Sequence, residues 1–174
     1  MDKIKKNIKC YINDIDQPTK DDIKYIIGHY NSVKNYVSGR YSSVKSLLLI
    51  QDQRKNIRDP WTESGMLDMF GIPPRYVRCA LEDAIGNIKA NWTNCFKIIN
   101  EHTTKNKDFS GKEKHYIRYM LKSVKLMYNI LNRVKFEKPE KFIGLNFHKL
   151  DNYLRRMVRK HLAKSVYKPN GSIA

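Results

Sequence analysis

At 174 residues, 41% of them hydrophobic and 29% charged, the chain is long enough to bury a core and too apolar to be disordered. Its 34 Lys plus Arg against 17 Asp plus Glu leave a net charge of +17, which points to polyanionic partners, nucleic acid ahead of an anionic membrane surface. No run of about 18 apolar residues is present to cross a bilayer, and the N-terminus alternates charge with apolar residues instead of forming a secretory leader. A cytoplasmic, nucleoid-associated protein with no membrane partner is therefore expected. Cys10, Cys79 and Cys95 form an odd, widely spaced trio without zinc spacing, which fits a reducing compartment; Cys79 and Cys95 read as small hydrophobes of a helix.

In chain order, Ile4, Ile8, Cys10 and Ile12 alternate with Lys3, Lys9, Tyr11 and Asn13, a strand pattern over residues 3–15. A lone strand needs sheet partners that the rest of the chain scarcely offers. Thr19 is the expected N-cap of a helix over about 20–38, with Asp21 and Asp22 near its positive end. A short helix then buries Val44, Leu47, Leu48 and Leu49, and the polar interval 51–58 reads as a loop. Asp59-Pro60 opens a piece that closes at Gly71, the residue suited to a left-handed C-cap.

Pro73-Pro74 starts the dominant element. Val77, Ala80, Leu81, Ala84, Ile88, Trp92, Cys95, Phe96 and Ile99 recur at steps of three and four, one face of a helix of about seven turns. Gly86 in its middle costs roughly 1 kcal/mol against alanine, so a close neighbour, protein or nucleic acid, is expected there. Ser110 and Glu113 form a capping box before a helix carrying Ile117, Met120, Leu121, Val124, Met127, Tyr128, Leu131 and Val134. A loop over 136–146 leads to a last helix, 147–163, with Phe147, Leu150, Leu154, Met157 and Val158 inward. The expected fold is mainly α: a bundle of five to six helices over 17–164, preceded by a strand segment, 1–16, and followed by a tail, 165–174.

Two basic stripes are the leading functional candidates. Lys114, Arg118, Lys122 and Lys125 fall at steps of four, four and three with no acid between them. On the last helix Tyr153, Arg156, Lys160 and Lys164 form a second row, with Lys149 before it and Arg155 and Arg159 beside it. Such rows are suited to a phosphate backbone. The long helix adds Arg75, Arg78, Asn87, Lys89 and Asn91, side-chain types that pair with base edges or 2′-hydroxyls, and Arg40-Tyr41 offers a cation beside an aromatic ring. The acids are scattered, the histidines lack a paired nucleophile, and P-loop and dinucleotide glycines are missing, so no catalytic residue, metal or cofactor is assigned.

Residues 31–47 (NSVKNYVSGRYSSVKSL), 70–92 (FGIPPRYVRCALEDAIGNIKANW), 112–122 (KEKHYIRYMLK) and 150–161 (LDNYLRRMVRKH) resemble the N-terminal half of TnpB-like proteins, transposon-encoded relatives of type V CRISPR effectors. The resemblance covers nearly all of this chain but only the front third or so of a full family member. It implies an opening wedge strand, a helical recognition lobe, and partners of guide-type RNA and target DNA. The RuvC carboxylates and zinc cysteines of the family's nuclease half have no counterparts here, so the expectation is a non-catalytic recognition module, as a fragment or a remnant. Two other readings stand beside it: a stand-alone double-stranded-DNA-binding regulator using the Gly71 turn and the long helix, and an interaction subunit that docks on a separate nuclease chain through the edge of the first strand.

Overall fold

A computed structural model describes residues 16–163; the expected strand, the tail and Lys164 lie outside them. Six α-helices form a mainly helical bundle. The first, α1 (Gln17–Tyr41), begins one turn earlier than expected, at an extended Asp16. Pro18 sits in the first turn, where its missing N–H has no intrahelical partner to lose, so Thr19 lies inside the helix and caps nothing. At its other end the helix continues past Gly39, because Val33, Val37 and Tyr41, four residues apart, are all buried on one face.

The link to the long helix is more wound than its polar sequence suggests. A 3-10 turn (Val44–Ser46) buries Leu47 and Ile50, while Leu48 and Leu49, expected inside, face outward. Residues 51–58 are not a plain loop: Arg54–Arg58 form a π-helical turn that runs straight into α2 (Asp59–Glu63). Ile57 and Trp61, spaced by four, are both buried, which explains the winding. The Trp61 indole N–H donates to the Tyr41 hydroxyl at 3.2 Å and its ring stacks on Phe70 at 5.9 Å. Left-handed Gly65 then separates α2 from a second 3-10 turn, Met66–Phe70.

Gly71 has φ 68°, as its sequence position predicts, and a Cβ there would also meet the Tyr25 hydroxyl at 3.3 Å. It releases the chain into α3 (Pro74–Lys105), about 48 Å long at 1.5 Å per residue and two turns longer than predicted. Tyr25 bonds the Gly71 carbonyl and Lys34 bonds Asp83 at 2.6 Å, so the partners ascend together and α1 runs parallel to α3. Trp92, Cys95 and Ile99 continue the buried face beyond the reach of α1. Burial pushes the Cys95 thiol up to about 11, whereas Cys79 is exposed and is no core residue. Gly86 is exposed, and a Cβ there would meet nothing within 4 Å, so no close protein neighbour is found for it among the described residues.

The second half of α3 is packed by α4 (Gly111–Leu121) and α6 (Phe147–His161), with α5 (Val124–Leu131) set against those two helices. The capping box forms as predicted, and the Ser110 backbone N–H, donating to the Glu113 carboxylate at 2.8 Å, holds that carboxyl below its ordinary range. The single helix expected over 110–134 is two. Ser123 adopts an extended conformation and accepts from the Leu126 N–H, restarting the chain in a direction that buries Met127 and Ile130 against α6. Between α5 and α6, a 3-10 turn (Glu140–Phe142) sinks Phe142 edge-on against Tyr116 at 5.2 Å.

Candidate nucleic-acid interface

The first predicted basic row does not survive folding as a row. Lys114 Nζ donates to the Thr104 carbonyl at 3.2 Å and the Arg118 guanidinium to the Thr104 hydroxyl at 3.0 Å. Both cations thus sit at the C-terminus of α3, where orphan carbonyls and the helix dipole favour positive charge. Lys122 and Lys125 are exposed, but the break at Ser123 leaves Lys122 at the C-cap of α4 and Lys125 on α5.

Several other candidates are spent inside the molecule. Tyr41 and Tyr153 are core residues; Tyr153 meets Phe109 edge-on at 4.9 Å with its hydroxyl 3.5 Å from that of Thr103. Lys89 bonds the Gln51 carbonyl at 3.3 Å. Asn87 and Asn91 are half-buried and already engaged. Arg40 is exposed and bonds the Tyr36 hydroxyl at 3.2 Å. Arg75 and Arg78 are exposed at the start of α3, about 42 and 37 Å of helix from Thr103, the level at which α6 crosses, so they do not extend the α6 surface. The outer side of α3 near them carries Glu82 and Asp83, paired with Arg58 and Lys34.

What remains is α6. Leu150, Leu154, Met157 and Val158 are buried, which forces His148, Lys149, Asn152, Arg156, Arg159 and Lys160 outward. Arg156, Arg159 and Lys160 have no ion-pair partner among the described residues. Arg155 leans to one side: its Nε donates to the Ile130 carbonyl at 2.9 Å and a terminal nitrogen to Asn152 Oδ1 at 2.5 Å.

That lean floors a groove of about 560 Å³ between α5, α6 and the start of the following loop, lined by Arg133, Lys135, Lys138, His148 and Arg155 together with Asn129, Phe136 and Asn152. Among the described residues that line it, Asp151 is the sole acid. Lys138 neutralises it at 2.8 Å, and the Tyr116 hydroxyl donates to its other oxygen at 2.6 Å. Burial, and then the Asp151 carboxylate, raise that hydroxyl well above the usual phenol range, so it stays a donor. A concave, net cationic trough results.

Sequence reasoning passed over Arg133, Lys135, Lys138 and His148. A signal was present: Arg133, Lys135, Lys138 and Lys141 are four cations in nine residues, spanning the end of the helix expected over 110–134 and the start of the 136–146 loop. Arg133 is also the one non-glycine with positive φ, 57°, among the described residues. Its N–H donates to the Ile130 carbonyl and that of Val134 to the Asn129 carbonyl at 2.9 Å, a Schellman closure of α5 in which glycine usually holds this place.

The described residues contain no cluster of three or more metal-ligating side chains and no helix long and apolar enough to cross a membrane. No family model, no curated protein and no solved structure matches this chain.

Proposed function

We propose that the chain is a non-catalytic nucleic-acid-binding module, built like the helical recognition lobe of a TnpB-like RNA-guided nuclease and acting on guide-type RNA and its target DNA. The observation that carries this reading is the cationic trough beside the outward row Arg156, Arg159 and Lys160, with Asp151, the sole acid among the described residues that line it, already neutralised. A polyanion laid along α6 releases counterions from its phosphates, and Arg133, Lys135 and the α6 row supply the matching charge. Sequence choice would come from base pairing by a guide strand and not from side chains. The sequence resemblance supports the family reading, and the mainly helical fold agrees with it.

Binding of a labelled RNA to the chain and to its Arg156→Glu, Arg159→Glu double variant tests the reading. Both substitutions are on exposed positions, so the fold is retained. The variant is expected to bind at least tenfold more weakly at 100 mM salt. Equal affinity for the two proteins contradicts the proposal.

A further inference from the structure

On α6, His148, Asp151, Asn152 and Arg155 line the trough described above, while Lys149, Asn152, Tyr153 and Arg156 line a second depression of about 390 Å³ on the opposite flank, completed by Asn106, Asp108 and Phe109. The two sets are offset by one residue, about 100° around the helix, and share Asn152. Asn152 is therefore the crest between two hollows, with Arg155 reaching into one and Arg156 into the other.

The hollows share an aromatic ring, asparagine and a cation, and the second also carries the Asp108 carboxylate. Each has an aromatic ring in its lining: Phe136 in the first, with the Lys138 ammonium 4.0 Å from its ring centre, and Phe109 in the second, backed edge-on by the core residue Tyr153, with Lys149, paired with Glu113 at 3.2 Å, 5.3 Å from the Phe109 ring. Each adds asparagine amides, which can both donate to and accept from a base edge, and arginine on the rim. Their volumes are of the order that holds a small organic ligand, not a helix.

Resting on the nucleic-acid reading above, we infer that the ligand of this face is an unpaired strand that straddles α6 at Asn152, with one base seated in each flanking hollow and the phosphates over the crest. Duplex nucleic acid, with a persistence length near 50 nm, does not bend over a ridge only about 10 Å wide, nor does it release stacked bases into a pocket without loss of pairing. A single strand does both, and aromatic side chains bordered by cations are the surface that such strands use.

Three ligands offered to the intact chain test this: a 12-nucleotide single strand, the duplex of the same sequence, and inorganic polyphosphate of matched charge. The single strand is expected to bind at least tenfold more tightly than either of the others, and Phe136→Leu is expected to weaken it about fivefold while leaving polyphosphate unchanged. Polyphosphate or duplex binding as well as the single strand overturns the inference while leaving polyanion binding intact. Failure of all three to bind defeats the nucleic-acid reading itself, and this inference with it.

Discussion

The Lys138 ammonium lies 2.8 Å from the Asp151 carboxylate, and the same ammonium sits 2.9 Å from the Tyr116 hydroxyl that bonds the carboxylate's other oxygen. This triad ties α4, α6 and the 136–146 loop together and cancels the Asp151 charge on the trough. Removing one member strands the other. Side-chain exposures of 20% for Lys138 and 13% for Asp151 leave both partly wetted, so the loss falls short of the roughly 3–5 kcal/mol of a fully buried pair. Asp151→Ala is expected to lower stability by about 2 kcal/mol, measured as a shift of the urea midpoint at unchanged slope.

Gly86 offers a gain in stability. It lies within α3, and the space where a side chain would go is open. Gly86→Ala is expected to stabilise the chain by about 0.5–1 kcal/mol through helix propensity alone. Thermal unfolding reads this directly; a fall in Tm would mean that the methyl group meets something.

Arg133 sets stability against binding. A left-handed backbone costs a side-chain-bearing residue roughly 1–2 kcal/mol that glycine avoids. Arg133→Gly is expected to raise stability by about 1 kcal/mol and to weaken RNA binding several-fold, because the trough loses a guanidinium. Paired measurements of unfolding and affinity on the same preparation would show the two effects moving in opposite directions.

Lys114 and Arg118 behave the other way. Both are engaged at the C-terminus of α3, so a Lys114→Met, Arg118→Ala double variant is expected to lose roughly 1 kcal/mol of stability. Its affinity for RNA, measured where the variant is still folded, is expected to stay within twofold of the parent.

Those two residues also mark the limit of what the sequence reveals. Helical spacing placed Lys114 and Arg118 on one face correctly; it carried no sign that the face would meet the carbonyl end of a helix ten residues earlier in the chain. Arg155 was placed among the candidates from the sequence, but its bond to a backbone carbonyl on α5 was hidden for the same reason. Tyr41 and Tyr153 looked exposed because a neighbouring cation and a polar row framed them, yet an aromatic ring contributes more when buried, and each hydroxyl found a polar neighbour inside. Signals that are local did succeed: the left-handed Gly71, the Ser110–Glu113 box, the buried stripe of α3 and the apolar seam of α6. The trough is a tertiary object, assembled from the end of α5, one flank of α6 and the loop between them, and no periodicity announces it.

Whether α5 and α6 present a working phosphate surface is read most directly from the salt dependence of RNA binding. With Arg133, Lys135, Arg156, Arg159 and Lys160 as contacts, log K is expected to fall against log salt with a slope of about −3.5, and the slope of the Arg156→Glu, Arg159→Glu variant to be shallower by about 1.4. A log K that barely moves with salt, or an identical slope in the variant, would contradict it.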